Sequence, residues 1–491
     1  MATENYGAFA QLIQSVGSTP VSTDTVLIFI GASAGGELNK PVLITSMSEY
    51  NSILDGTAGD GYNLTEAAIA AFQVAGINRC YMIPVSHAAT FTAADYVGSA
   101  ANETGVHAVE KLLRESPTAV NILCAPSISD GSVIAELLSV AKLAAGHWRS
   151  FVVCDMAESI DHIDESGYAD VSEIVDDKAV NDEFAAVVWG HVKTSGGYII
   201  SGAAVRACLV AKSDANYGVP ARCGGNLTIP SMQAVVLKDI YGNNIESDTK
   251  DSISAGSSKI PIIIDGEPVK YDDSKSYELV DVTCSTGELA NTALIKSSSR
   301  IGEEIVDGLL CLSFDELSSA VTNAVVTYKE TDNYTVNLKE SAATQLSADG
   351  ICSYINYGGG NWHTWGDHTS AFAGGTISDE LGRFDNTIRM NIMITNRFQL
   401  KYRFEIDNPM TLQMRNDVIN EELDYLNSLV SIGALIGEPS VEFRAVDNGN
   451  DQVSQGYFTW TTLDTPTIPS KYMLDKVAYT QAGLSVYLQA A

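Results

Sequence analysis

Positive charge is scarce in this sequence. Its 491 residues contain 29 lysines and arginines against 61 aspartates and glutamates, a formal net charge of −32. Phosphate backbones are bound by basic surface, so bare nucleic acid is a poor partner and no direct nucleic-acid contact is expected. Long apolar runs are missing as well. None approaches the about 20 residues of a membrane span, and residues 26–30 suffice only for a buried strand, so no membrane anchor is expected. The opening residues, MATENYGAF, have neither the basic stretch nor the apolar core of a signal peptide. The cysteines (Cys80, Cys124, Cys154, Cys208, Cys223, Cys284, Cys311 and Cys352) form no CxxC pair and have no histidine at metal spacing. Most sit in apolar runs such as NILCAP and FVVCDM, where a reduced cysteine acts as a small hydrophobe. A reducing cytoplasm is the expected place of synthesis.

What is present is the composition of a folded protein, 45% apolar and 18% charged. The length calls for two to four domains, and charge of one sign keeps an abundant protein soluble. Residues 1–24 combine a short helical pattern (Phe9, Leu12, Ile13) with GSTPVSTDT, and read as an N-terminal arm. Over residues 25–231, apolar strands (VLIFIGAS, PVLITS, CYMIPV, VNILCAP, FVVCDM) alternate with helical stretches (LTEAAIAAFQVAG, VHAVEKLLRES, DGSVIAELLSVAKLAAG). That alternation predicts an α/β domain with a largely parallel sheet. Residues 232–341 are β-leaning and punctuated by turn residues, with one helical piece near residues 313–323, and read as an inserted surface domain. Residues 342–473 return to mixed α/β. In the last segment, 474–491, Val477 and Tyr479, then Leu484, Val486 and Leu488, alternate at period two, as a donated strand does.

Three local patterns invite a chemical reading. Residues 31–35, GASAG, match GxSxG after a strand, but a nucleophile elbow needs a helix to begin at the serine, and here a short loop leads to another strand. The same glycines lack the GxGxxG spacing and the helix start of a dinucleotide site. His363 and His368 flank Trp365 and Gly366, without carboxylates or cysteines to complete a metal shell beyond the adjacent Asp367. Residues 447–451, DNGND, have the composition of a calcium loop without its twelfth-position glutamate, and Asn-Gly is first a turn signal. No catalytic residue, metal or cofactor is therefore expected.

Residues 358–437 carry the most distinctive pattern. An aromatic turn (Trp362, Trp365, Gly366) leads to a strand, a stop at Asp407 and Pro409, and a helix over residues 410–432 closed by Gly433, with Gly437 beyond it. Leu412, Ile419, Leu423, Leu426 and Val430 form its core stripe, opposite Asp417, Glu421 and Asp424. Between Arg383 and Arg415 six basic residues face three acidic ones, a local excess of three positive charges suited to docking an acidic protein.

Four segments in order resemble the contractile phage tail sheath family. They are residues 26–54 (VLIFIGASAGGELNKPVLITSMSEYNSIL) with the following LTEAAIAAFQVAGINRCYMIPV; residues 201–229 (SGAAVRACLVAKSDANYGVPARCGGNLTI); residues 347–369 (SADGICSYINYGGGNWHTWGDHT); and FEIDNP through GALIG. The resemblance implies a multi-domain α/β sheath fold with a β-rich outer insertion and extended terminal arms. It implies a structural subunit, not an enzyme, forming stacked hexameric rings around a tail tube and contracting to drive that tube through a cell envelope. Partners would be further copies, the tube protein, and baseplate and terminator proteins, within a virion assembled in the host bacterial cytoplasm. It assigns intersubunit arm contacts to Val21, Val26, Val477, Tyr479, Leu484, Val486 and Leu488, and a tube-facing basic patch to Arg389, Arg397, Lys401, Arg403 and Arg415. The alternatives are a headless contractile bacteriocin or injection system, a generic self-assembling shell, and a hydrolase using the turn at residues 31–35.

Overall fold

The computed structural model describes residues 25–56, 61–88, 92–144, 146–164, 166–238, 243–246, 259–264, 266–272, 275–283, 300–303, 308–313, 325–356, 360–373, 380–471, 473–478 and 480. Its centre is a nine-stranded sheet. In chain order the first six strands are β1 (Thr25–Ala32), β2 (Val42–Ile44), β3 (Cys80–Ser86), β4 (Val120–Cys124), β5 (Phe151–Asp155) and β6 (Ala185–Val188). They lie side by side as β2-β3-β1-β4-β5-β6, followed by the strands Ile351–Asn356, Trp362–Trp365 and β9 (Thr228–Ile229). From β3 to Ile351–Asn356 every pairing is parallel; β2, Trp362–Trp365 and β9 are antiparallel additions at the two ends. Parallel strands covered on both faces need unbroken apolar runs, and Leu27, Ile28, Phe29 and Ile30 of β1 are all buried. Val26 belongs to this sheet: it pairs with Asn121 of β4 and packs against the core, which corrects its placement in an exchanged arm.

The sheet crosses the boundaries that the sequence suggests. Residues 351–365, expected in a separate C-terminal domain, extend the sheet built by residues 25–231. Helices cover it where the apolar periodicity predicts them: Asn63–Ala68 running on as a π-helix Ile69–Ala75, Ala108–Glu115, and Gly131–Leu143. Asp130 caps the last of these, its carboxylate accepting from the amides of Ser132 (2.9 Å) and Val133 (3.2 Å).

The helix Gly202–Tyr217 lies almost wholly inside, and its small residues explain how. A Cβ at Gly202 would sit 2.2 Å from the Gly190 carbonyl oxygen, so only glycine allows this approach.

The described residues between 232 and 341 are mostly strand, as the composition there predicts. Strands β7 (His191–Thr194), β8 (Ile199–Ile200) and β10 (Met232–Lys238) join the 12-residue strand Val325–Val336 in a six-stranded sheet that also takes Asn243–Glu246 and Lys275–Thr283. Ile260, Ile262, Leu310, Leu312 and Tyr328 give it a core of its own. The helical piece expected after Ser313 lies outside the described residues.

The strand expected before the Asp-Asn-Pro stop is instead a helix, Asp385–Tyr402. Its period is masked because it is buried between two cores: Ile388 and Ile392 face the sheet cluster, while Met390, Met393 and Ile394 face a second cluster with Leu426 and Leu429. It is fixed to the Gly202–Tyr217 helix by charges. Arg206 donates to Asp385 at 2.9 Å, and Arg389 donates to Asp214 at 2.5 Å and approaches Asp385 at 3.7 Å. All four side chains are buried. Removing one member of such a set strands an uncompensated charge at about 3–5 kcal/mol. Asp385→Asn is expected to lower unfolding stability by about that amount in a urea titration, more than Asp385→Asn together with Arg206→Met.

Candidate functional site

The patterns that invite a chemical reading each have a definite place. Ser33 of the GxSxG match is fully buried, and its hydroxyl donates to the Gly35 carbonyl at 2.7 Å. The loop beyond it leads to β2, so the serine closes a turn.

The Trp-Gly turn does structural work. Trp362–Trp365 is a strand between Ile351–Asn356 and β9. Gly366 follows at φ 97°, where a Cβ would lie 3.1 Å from the Cys352 Cα, so side chain and conformation are both refused. Asp367 forms an ion pair with Lys471, tying the C-terminal stretch back to this turn. His368 is sandwiched against Phe372, with ring centroids 3.9 Å apart, and its Nδ1–H donates to the Ser347 carbonyl at 2.7 Å. Burial holds its pKa below the ordinary imidazole value despite the Asp367 charge. His363 lies on the strand itself, across from Ile355. Among the described residues no cluster of three or more histidine, cysteine, aspartate or glutamate side chains could hold a metal. In residues 447–451, Asp447 pairs with Arg444 at 2.7 Å and Gly449 starts the short helix Asn450–Ser454, the geometry of a capped turn.

The helix of the distinctive segment spans Leu412–Ser431, with Thr411 as its N-cap, its hydroxyl accepting from the Met414 amide at 3.1 Å. Asp407 precedes it in the left-handed region at φ 69°, Pro409 follows, and Gly433 (φ 75°) and Gly437 (φ 81°) end the passage. Its core stripe is Val418, Leu426 and Leu429, flanked by half-buried Ile419, Leu423 and Val430; Leu412 is 74% exposed, contrary to expectation.

The basic strip is largely internal. Arg389 is fully buried with Asp214, so it cannot face a partner. Arg397 donates to Glu422 at 2.6 Å and lies over the Tyr425 ring, 3.5 Å from its centroid. Lys401 pairs with Glu421 (2.7 Å) and Glu422 (3.2 Å). Glu422, buried on the facing helix, is the residue that the count of charges along the chain missed, because it lies outside the counted window. Arg415 stacks toward Phe443 at 5.6 Å, and Arg403, over Phe404, is exposed. Large apolar side chains are exposed beside it: Phe404 (75%) and Ile406 (73%), then Val446, Ile468 and Met473 farther along. Most such side chains among the described residues follow residue 403. Val477 is among them and is exposed; Val21, Tyr479, Leu484, Val486 and Leu488 lie outside the described residues.

One site has no signature in the sequence. At the carboxyl ends of β4 and β5, Ser127, Asp155, Glu158, His191 and Lys238 surround a cavity of about 70 Å³. Four segments supply them, so no local spacing announces the cluster.

Residues 9–212 match a family described as DUF2586, N-terminal domain. No curated protein matches the sequence. Among solved structures, a chain of the anti-feeding prophage (AFP) baseplate, 6-fold symmetrised, is similar over 98% of this chain and 100% of its own, with 13% identity and a TM-score of 0.55. A chain of the PVC sheath complex of an extracellular contractile injection system, in the contracted state, is similar over 99% of both chains, at 12% identity and a TM-score of 0.55. This chain has the contractile-sheath fold. The AFP helical sheath in its contracted state gives the same correspondence, with 13% identity, 98% and 100% coverage and a TM-score of 0.54. No described helix of this sheath-fold chain is long and apolar enough to cross a membrane.

Within the sheath fold, Arg397 and Arg403 have different environments. Arg397→Glu places a charge against buried Glu422 and is expected to cost about 3–5 kcal/mol. Arg403→Glu should change stability by less than about 0.5 kcal/mol. Paired urea titrations check both, and equal effects would contradict the placement of Arg397.

Proposed function

We propose that this chain is the structural subunit of a contractile sheath, forming stacked hexameric rings around a tail tube and shortening to drive the tube through a cell envelope. The observation that carries this reading is the end-to-end correspondence with sheath chains of AFP and PVC, over 98% and 99% of this chain. The exposed apolar side chains after residue 403 support it, since such surface on a soluble chain marks interaction sites. So does the burial of Ser33, which leaves the hydrolase reading without a nucleophile. The work of contraction then comes from free energy stored in the assembled lattice. Its partners on this reading are further copies, the tube protein, and baseplate and terminator proteins, in a particle assembled in a bacterial cytoplasm.

A headless injection system is the second reading, favoured by the likeness to chains of AFP and of an extracellular contractile injection system. Neighbouring capsid and terminase genes would mark a complete phage instead. For assembly itself, negative-stain microscopy of the purified protein is the test: six-fold tubes support the proposal, and a persistent monomer overturns it.

The terminal arm has its own outcome. Residue 477 is exposed, and the residues beyond it alternate at period two. A strand donated to a neighbour makes several backbone hydrogen bonds of about 0.5–1.5 kcal/mol net each, repeated at every subunit of a ring. Deleting residues 476–491 is expected to leave the thermal unfolding transition unchanged and to abolish tubes. Normal tubes from the truncated chain would refute the arm.

A further inference from the structure

The polar cluster at the ends of β4 and β5 is a connected chain of hydrogen bonds. Glu66 accepts from Lys238 Nζ (3.0 Å), from the Ser201 amide (2.8 Å) and from the Ser127 hydroxyl. His191 Nε2 lies 3.0 Å from Ser127 Oγ, and its Nδ1 lies 2.9 and 3.0 Å from the two oxygens of Glu158. Glu158 also accepts from the backbone amides of Gly190 (3.1 Å) and Lys238 (2.8 Å). Asp155 completes the site, accepting from the Ser127 amide (2.7 Å), the Ser201 hydroxyl (2.6 Å) and the Ala203 amide (2.8 Å).

Hydrogen-bond bookkeeping fixes the protons. A carboxylate with three donors is ionised, so Ser127 gives its only proton to Glu66 and must accept from His191 Nε2. Nδ1 faces a carboxylate and also donates. Both ring nitrogens carry hydrogen, and the histidine is an imidazolium. The Ser127–His191–Glu158 distances are those of a hydrolytic triad, but the hydroxyl is committed to Glu66. The cavity of about 70 Å³ is also far below the about 300 Å³ at which ligand pockets begin.

The location gives the cluster its role. Lys238 ends β10, the strand on which the chain leaves for the insertion, and it is held through both its amide and its ammonium. We propose that the Glu158–His191–Ser127–Glu66–Lys238 chain is a proton-dependent staple tying the root of the inserted domain to the parallel sheet. When His191 loses its Nε2 proton, Ser127 must turn its hydroxyl from Glu66 toward the bare nitrogen, and the Glu158 ion pair is lost. Burial opposes the charge on His191, as does Lys238, but Glu158 and Asp155 outweigh them and hold its pKa above 6.5. A raised histidine pKa stabilises the fold fully below the unfolded value, and that contribution disappears as pH rises through the folded one. The staple is therefore closed in mild acid and opens toward alkaline pH.

Hydrogen exchange on the full-length unassembled protein tests this. After correction for intrinsic rates, amides of β10 and of Val325–Val336 should exchange measurably faster at pH 9 than at pH 6, because the raised pKa of His191 withdraws its stabilisation as pH rises. His191→Gln should exchange at the fast rate at both pH values, and Glu158→Gln should move the step to lower pH. A wild-type rate equal at the two pH values overturns the proposal, as does a step that persists in His191→Gln. Should either variant fail to fold, the wild-type comparison still decides.

Discussion

Four buried charges join the chain's distant parts. Arg206 and Asp214 sit on the Gly202–Tyr217 helix; Asp385 and Arg389 sit on Asp385–Tyr402. Neither helix tolerates the other's absence, because each would bury an arginine and an aspartate without their counter-charges. Apolar packing alone permits helices to slide by a turn at modest cost. A crossed pair of ion pairs permits one register. The sheet cluster and the cluster under Leu426 and Leu429 are thereby locked into a single geometry.

On the proposed reading, that rigidity suits a subunit that transmits motion. A lattice that shortens by rotating domains needs bodies that stay intact while the contacts between them change. The structure separates these roles along the chain. Interior charges are paired, as in Arg397 with Glu422, while large apolar side chains at the surface gather after residue 403. The cluster of Ile260, Ile262, Leu310, Leu312 and Tyr328 is a core separate from that of the nine-stranded sheet, and β10 pairs with Val325–Val336 beside it.

Much of the parallel sheet was legible from β1 to β5, because strands buried on both faces must be apolar throughout and their turns are marked by glycine. The helix Asp385–Tyr402 was not, for a physical reason: IRMNIMI serves two cores at once, so the polar face that would reveal a helical period is absent. The basic strip misled for a related reason. Charge counted along a window ignores partners across space, and Glu422 and Asp214 neutralise from positions outside the window. The cluster around His191 was invisible because its members come from separate segments scattered between residues 66 and 238. Val26, which the family resemblance assigns to an arm contact, opens the run of residues 26–30 that already reads as a buried strand, and the strand reading is the one the sheet pairing matches.

The separation between charge partners has a consequence for synthesis. Asp385 follows Arg206 by 179 residues, and Arg389 follows Asp214 by 175. At about 5–20 residues per second, a ribosome needs roughly 10–35 s to supply the second pair after the first. During that interval the helix Gly202–Tyr217 can dock on the sheet only by leaving Arg206 and Asp214 facing water. The first half of the chain thus waits, incompletely closed, until residues 385–389 emerge. Most of the exposed large apolar side chains among the described residues follow them out, so they appear only once the charges that complete the interior are available.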